Sequence, residues 1–164
     1  MTVFMVALAA SAQDTISVYL SDDDPTGLTN IRNKPMGAKV MQLSSDDIYI
    51  FSLTSPQDGW WKIVELWTVE DDVTDSLAGS DTGEYWVHYS VLGIGTRNYG
   101  QNEKLPLRSE PSKRAAVSYT LKGEQTVHPI DVKGSWVKVK TADGKGQGWV
   151  EDEWLCSNPL TTCP

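Results

Sequence analysis

The stretch that decides the fold is Gly59-Trp60-Trp61-Lys62-Ile63, because a second version stands later in the chain as Gly134-Ser135-Trp136-Val137-Lys138-Val139. Both versions contain Trp-x-Lys followed by Ile or Val. An earlier landmark accompanies each one, since Pro35 lies 25 positions before Trp60 and Pro111 lies 25 positions before Trp136. Matched landmarks at one spacing indicate an internal duplication, which predicts two similar units.

The pattern between these landmarks favours strands. No helical periodicity of useful length occurs, whereas short alternating or apolar runs such as 15–20 and 48–51 are separated by turn residues. Strands punctuated by turns at intervals of roughly 8 to 12 residues are typical of small sandwiches and barrels. Because a barrel protects its strand edges, we predict an all-β fold of two small barrels in tandem.

The boundaries of the two units follow from the repeat. The first unit is predicted to span residues 14–92 and the second 102–157, because the segments that end them, with Trp86 aligned on Trp149, match without a gap. The intervening residues 93–101 contain three glycines and no sustained pattern, which favours a short linker.

Two further segments lie outside this repeat. Residues 69–84 are acidic and small, and the second unit has no counterpart of that length. They are interpreted as an enlarged hairpin loop of the first unit, and long loops are commonly functional or mobile. Residues 158–164 are predicted to form a tail.

Charge narrows the class of partner. The 164-residue chain has a formal net charge of −8 and a pI near 4.6, without the clustered cations that neutralise phosphates. A nucleic-acid partner is therefore not expected. Membrane insertion is not expected either, because no apolar run approaches the roughly 20 residues required to cross a bilayer.

The first twelve residues have the character of a signal peptide. They are apolar from Val3 to Ala10 and end in Ala10-Ser11-Ala12, a small-x-small cleavage pattern, although no Lys or Arg precedes Arg32. Cleavage near Ala12 would place the mature protein outside the cytoplasm, in the periplasm or the medium. The alternative is a buried N-terminal strand or short helix.

The cysteine content allows a disulfide but does not indicate a metal site. Cys156 and Cys163 are the only two cysteines, and they lie close together near a Pro-containing tail. In an oxidising compartment they could form a local disulfide. Their spacing, with His88 and His128 distant in sequence, is not a zinc pattern, and no cofactor is predicted.

Strand alternation divides the tryptophans into two roles. Val137 and Val139 share one face of a strand, so Trp136 lies on the other. By the same register Trp61 points inward and Trp60 points outward. Outward-facing aromatic rings expose more apolar area than folding requires, which makes Trp60 and Trp136 candidates for a ligand platform.

The ordered landmarks of both units resemble the bacterial SH3 domain family. The resemblance is carried in the first unit by Asp24-Pro25-Thr26-Gly27-Leu28-Thr29-Asn30-Ile31-Arg32, Pro35, Gly59–Ile63 and Trp86-Val87-His88, and in the second by Leu107-Arg108-Ser109-Glu110-Pro111, Trp136–Val139 and Gly148-Trp149-Val150. It implies two five-stranded SH3-like barrels in an exported bacterial protein. Members of this family commonly serve as cell-wall targeting or peptide-binding modules, often attached to peptidoglycan hydrolases.

The resemblance also implies where a ligand would bind. In the wider SH3 fold, the first of the paired aromatics and a Tyr near the final strand line the peptide groove. Trp154 occupies the second of these places in the second unit, where the first unit has Val91 unless Tyr89 substitutes. The alternative is that these rings pack between the two barrels. The candidate ligand-binding residues are Trp60, Lys62, Tyr89, Trp136, Lys138 and Trp154.

The sequence offers little for catalysis. A Cys and His pair would need a base near the thiol and a group that orients the base, and neither is evident. We therefore expect an exported, non-enzymatic binding module that engages peptidoglycan or another extended peptide. One alternative is a scaffold module of a cell-envelope complex, with the 69–84 loop contacting a basic envelope protein. An accessory part of a wall hydrolase is a third reading.

Overall fold

The computed structural model describes residues 14–23, 26–68 and 83–163. The predicted signal peptide lies outside these ranges, as do nearly all of the acidic 69–84 insertion and two residues of the first landmark, Asp24 and Pro25. The described residues form strands joined by turns, which confirms the all-β prediction. None of them belongs to a helix with the length and apolar character needed to cross a membrane.

Thirteen strands and two single-turn 3-10 helices make up the described fold. The strands up to the midpoint are β1 Thr15–Leu20, β2 Leu28–Arg32, β3 Lys39–Ser44, β4 Tyr49–Gln57, β5 Trp60–Thr68, β6 Trp86–His88 and β7 Leu92–Thr96. The later strands are β8 Lys104–Arg108, β9 Val117–Lys122, β10 Thr126–Lys133, β11 Trp136–Thr141, β12 Gln147–Glu151 and β13 Leu155–Cys156. The 3-10 turns Tyr89–Val91 and Asp152–Trp154 precede β7 and β13. We call residues 14–91 the first half and residues 97–163 the second half.

One antiparallel sheet links all of these strands. Its order is β3-β2-β6-β5-β4-β1-β7-β10-β11-β12-β8-β9, and β13 pairs with β7. Outward from the junction of β1 and β7, the order is β1-β4-β5-β6-β2-β3 on one side and β7-β10-β11-β12-β8-β9 on the other. The repeated sequence therefore corresponds to a repeated strand order. That each half is an SH3-like barrel stays a prediction.

Strand β7 joins the two halves and pairs with strands of both. Leu92 and Gly93 pair with β1, whereas Ile94, Gly95 and Thr96 pair with β10 or β13. Residues 93–96 of the predicted linker 93–101 therefore lie in a strand of the sheet. Gly93 is one of the three glycines that favour a short linker in the sequence, but a Cβ at this position would lie 2.7 Å from the ring of Tyr19. Close packing, rather than flexibility, accounts for glycine at this position.

The two halves share one hydrophobic core. A single cluster of buried side chains includes Phe51 and Trp61 from the first half and Val127 and Val139 from the second. Hydrogen bonds also cross the boundary, from the Trp61 indole N–H to the Pro129 carbonyl at 3.0 Å and between the hydroxyls of Tyr19 and Thr126 at 2.9 Å. His128 Nδ1 donates to the Leu92 carbonyl at 2.7 Å. A shared core supports two units that would each be small on their own.

Candidate functional site

The first two residues of β5 and of β11 alternate between the outer face and the core, as the sequence predicts. Trp61 and Val137 are buried, with 0% and 1% of their surface exposed, whereas Trp60 and Trp136 are only half-buried. Each outward tryptophan is the first residue after a two-residue hairpin turn, because β4 and β5 pair at Gln57 and Trp60 and β10 and β11 pair at Lys133 and Trp136. The outward orientation is thus confirmed for both tryptophans.

A groove in the second half brings together two predicted ligand-binding residues. Trp136 and Trp154 line one cavity of about 180 Å³ between β8, β11 and β12. We call it the Trp136 groove, and its lining consists of Lys104, Leu105, Pro106, Arg108, Lys113, Trp136, Val150, Glu151 and Trp154. An apolar floor with a few polar groups at the edges is the usual form of a small binding site.

The backbone around Trp154 holds its ring at this groove. Trp154 ends the 3-10 turn Asp152–Trp154, and the N–H of Asp152 donates to the Ser135 carbonyl at 2.9 Å, in the hairpin turn beside Trp136. The carbonyl of Trp154 accepts the N–H of Arg97 at 2.9 Å. Trp154 and Trp136 are therefore positioned by connected backbone hydrogen bonds.

The groove has a local charge opposite to that of the whole chain. Its lining contains the cations Lys104, Arg108 and Lys113 and the single carboxylate Glu151. Lys113 and Glu151 form an ion pair at 3.0 Å, and the hydrogen bond from this lysine raises its pKa. Because the lysine is largely exposed, the pair contributes little to stability. The excess of cations makes the groove suitable for a carboxylate-bearing ligand despite the net charge of −8.

Arg32 and Arg108 occupy matched places beside the outward tryptophans. Arg32 Nη1 donates to the Gly37 carbonyl at 2.7 Å, and Arg108 Nη1 donates to the Ala115 carbonyl at 2.9 Å. Each arginine thus closes the loop that follows its strand. Arg32 also lies over the Trp60 ring, 5.9 Å from its centroid, within cation–π range.

The described aromatic rings of the first half are arranged differently from those of the Trp136 groove. Trp60 packs edge-on against His88 at a centroid distance of 5.2 Å, and His88 stands between Trp60 and Tyr89, whose ring is 4.6 Å away. Tyr89 instead contacts the second half, with His128 at 6.1 Å and Lys140 Nζ 5.8 Å from the ring centroid. Burial lowers the pKa of His88. Tyr89 therefore packs between the two halves, which is the alternative to a place in a ligand groove.

The two candidate lysines have different surroundings. Lys62 forms an ion pair with Glu84 at 2.6 Å, and the Trp86 indole N–H donates to the same carboxylate at 3.2 Å. Hydrogen bonds from Lys62 and Trp86 lower the pKa of Glu84. Lys138 occupies the matching place on β11, opposite Trp149 of β12. Among the described residues, no ion pair involves Lys138.

Cys156 and Cys163 form a disulfide, as the sequence allows. The closed loop lies near the first half, because Pro159 and Leu160 line a cavity together with Ile50 and Trp67. The sequence predicts a tail here but not its proximity to the first half. In the part of the chain that the structure describes, no group of three or more His, Cys, Asp or Glu side chains is arranged to hold a metal ion.

The other seven lining residues of the Trp136 groove, among them Lys104, Pro106 and Lys113, were not among the predicted ligand-binding residues. Lys104 and Pro106 alternate with the buried Leu105 and Leu107 along β8, so the period of two could have placed them on the outer face. Lys113 lies in the loop between β8 and β9. No local pattern indicates that this loop folds over β12, because that proximity depends on the sheet order.

The segment that contains the Trp136 groove matches a known protein family. Residues 103–155 match the family model of the bacterial SH3 domain. No curated protein matches the chain in sequence. Among solved structures, the chain is similar to NlpC1 and NlpC2 from Trichomonas vaginalis, at 14% and 15% identity with TM-scores of 0.31 and 0.33. The alignments cover 94% and 90% of this chain, which spans 50% of the length of each of those proteins.

Proposed function

We propose that this protein is an exported, non-enzymatic binding module for a carboxylate-bearing extended peptide, with the stem peptides of peptidoglycan as the ligand. The match of residues 103–155 to the family model of the bacterial SH3 domain supports this proposal. The observation that supports this proposal is the meeting of Trp136 and Trp154 in one groove with an excess of cations. Two aromatic surfaces can hold the side chains of an extended peptide, while charged groups at the edge fix its polar atoms.

The positive charge of the Trp136 groove is compatible with a carboxylate-bearing ligand, although the whole chain is negatively charged. Peptidoglycan is rich in carboxylates, so a chain of net charge −8 should be repelled by it at long range. Screening over about 8 Å at physiological salt weakens that repulsion. At the groove itself Lys104, Arg108 and Lys113 outnumber Glu151, so the short-range interaction is attractive.

The proposal of a non-enzymatic role has its own support. The sulfur atoms of Cys156 and Cys163 are bonded to each other, so neither is available as a thiolate nucleophile. The ring of His128 is engaged with the Leu92 carbonyl, and His88 hydrogen-bonds Ser90. These contacts give His128 a structural role between β10 and β7 and His88 a structural role at the 3-10 turn Tyr89–Val91.

Co-sedimentation with purified cell-wall sacculi tests the proposal. We expect the wild type to sediment, and Trp136→Ala or Trp154→Ala to weaken binding at least about tenfold, the size of an aromatic hot spot. Trp60→Ala is the matched control, because Trp60 has the same strand position in the half whose second aromatic is missing. It should change binding less than about threefold.

The same experiment separates the other functions. Each variant is first checked for a native thermal transition, so that loss of binding is not loss of folding. A wild type that stays in the supernatant contradicts the proposal and favours the scaffold module with a protein partner. Release of soluble wall fragments would instead indicate a wall hydrolase.

A further inference from the structure

A second cavity shares Trp154 with the Trp136 groove. It encloses about 600 Å³, and we call it the Tyr99 cavity. Its lining consists of Arg97, Tyr99, Glu153, Trp154, Thr162 and Cys163. One tryptophan thus borders both cavities, which makes them neighbours on the surface of the second half.

The aromatic walls of this cavity are exposed. Trp154 and Tyr99 each have 37% of their surface accessible, so both rings are exposed, although five other large hydrophobic side chains of the described residues are more exposed. Exposed aromatic rings that line a shared concavity are a common mark of a binding surface. Two rings at one cavity can contact an apolar side chain from two sides.

The disulfide loop holds Tyr99 in place. The N–H of Cys163 donates to the Tyr99 hydroxyl at 3.0 Å, and that hydroxyl donates to the Cys163 carbonyl at 3.2 Å. Cys163 is itself tied to Cys156, which pairs with Gly95 of β7 in the central sheet. A ring fixed in this way loses little conformational entropy when a ligand binds.

The polar groups of the cavity suit a peptide. Arg97 Nη1 donates to the Glu153 carbonyl at 2.8 Å, which fixes the guanidinium and leaves most of its five N–H donors for a ligand. A planar guanidinium is well matched to a carboxylate. The Glu153 carboxylate at the same cavity can accept a peptide N–H. Together these groups provide one partner for each kind of polar atom in an acidic peptide.

We propose that the Tyr99 cavity is a second subsite for the same ligand. An extended, carboxylate-bearing peptide continues past Trp154, its apolar side chain packs between Trp154 and Tyr99, and a carboxylate pairs with Arg97. This inference rests on the proposed function, because the shared Trp154 defines the direction of the chain. It assigns the disulfide-closed tail a role in ligand binding.

Binding isotherms on sacculi test the aromatic part of this subsite. Tyr99→Leu, which removes the ring, should weaken binding about tenfold. Tyr99→Phe keeps the ring and removes only the hydrogen bonds to Cys163, so it should weaken binding less than about threefold. If Phe and Leu weaken binding equally, Tyr99 acts only as an anchor for the tail and the subsite is wrong.

The proposed pairing of a ligand carboxylate with Arg97 is tested by comparing native sacculi with sacculi that lack carboxylates. Sacculi whose carboxylates have been converted to amides should bind the wild type about tenfold more weakly than native sacculi do. Arg97→Gln should reduce this preference about threefold, because the cations of the Trp136 groove still distinguish native from amidated sacculi, whereas Arg97→Lys should retain more of it. An unchanged preference in Arg97→Gln would overturn the assignment of Arg97.

The outcomes separate this inference from the proposed function. If the wild type does not bind sacculi, the proposed function is contradicted and the subsite with it. If the wild type binds and Trp136→Ala removes binding while Tyr99→Leu binds fully, the proposed function stands and only the second subsite is wrong. Thermal unfolding of each variant shows whether a loss of binding reflects a loss of fold.

Discussion

The indole nitrogen of Trp61 in β5 donates a hydrogen bond of 3.0 Å to the backbone carbonyl of Pro129 in β10, across the boundary between the halves. The ring is fully buried in the shared core. The register of β10 against β11 shifts between Pro129 and Asp131, so Trp61 bonds to the chain where the ladder is irregular. One side chain thus contributes apolar area to the first half and a polar contact to the second.

Trp61→Phe should lower the free energy of unfolding by about 1 to 3 kcal/mol, because it leaves the buried Pro129 carbonyl without this donor. Urea unfolding followed by far-ultraviolet circular dichroism and by fluorescence measures the change. The two probes should report one coincident transition, since both halves share a core. Trp60→Phe, at the half-exposed neighbouring position, should change stability by less than about 0.5 kcal/mol. Equal losses in both variants would contradict the role of the Trp61 hydrogen bond.

The sequence could place the Trp61 ring but not its partner. Alternation along one strand determines which face a residue occupies, so the inward Trp61 and the outward Trp60 were predictable. Pro129 lies 68 positions away, and the pairing of β10 with β7 that brings it close depends on the sheet order. The same limit applies at Gly93, where a residue interpreted as a linker signal is required for packing against Tyr19.

The position of the candidate site in the second half could be predicted from the sequence, but the position of Tyr89 in the first half could not. The resemblance to the bacterial SH3 family placed Trp136 and Trp154 together, and the structure brings both to one groove. It also allowed Tyr89 as a substitute in the first half, but this ring faces Lys140 and His128 because the 3-10 turn Tyr89–Val91 packs on β10. Contacts between units leave no local pattern in the sequence, so this difference required the structure.

Tyr19 links the halves, and its contribution to stability should change with pH in the alkaline range. Burial raises the pKa of its phenol above the usual value of 10.0, against a lowering effect of the hydrogen bond to Thr126. The folded protein therefore holds this proton more tightly than the unfolded chain does, and stability should fall as pH rises from about 10 through the raised pKa. Titrating the urea midpoint between pH 8 and 11 measures the loss.

Tyr19→Phe is the matched variant for this titration. Near pH 8 it should cost about 0.5 to 1.5 kcal/mol, the value of one hydrogen bond to Thr126. Above pH 10 it should lose less stability than the wild type, because the titrating group is gone. Burial also raises the pKa of Tyr49, so a smaller alkaline slope should persist in the variant. Parallel pH profiles for the two proteins would show that Tyr19 does not titrate in this way.

The hairpin turns before Trp60 and Trp136 allow a paired test of backbone strain. Gly59 has φ +83° and Gly134 has φ +56°, a region that disfavours side chains, so alanine should destabilise at both positions by about 1 kcal/mol. A Cβ at Gly59 would also lie 3.0 Å from His88 Nε2 and 3.1 Å from Tyr89 Cδ1, whereas no atom lies within 4 Å of a Cβ at Gly134. Gly59→Ala should therefore cost roughly 1 kcal/mol more than Gly134→Ala in thermal or urea unfolding. An equal cost would mean that the rings of His88 and Tyr89 move aside freely.

The Lys62–Glu84 ion pair should contribute little despite its short distance. The side chains are 35% and 46% exposed, so solvent screens the pair, and Glu84→Gln should change stability by less than about 0.5 kcal/mol at pH 7. The lowered pKa of Glu84 means that its small contribution is present above the usual value of 4.5 and is lost as pH falls through the lowered folded value. Acid titration of the urea midpoint should therefore show a slightly shallower decline in Glu84→Gln than in the wild type. A loss above about 1 kcal/mol at pH 7 would indicate that Glu84, through the indole of Trp86, holds β6 in place rather than only pairing with a surface lysine.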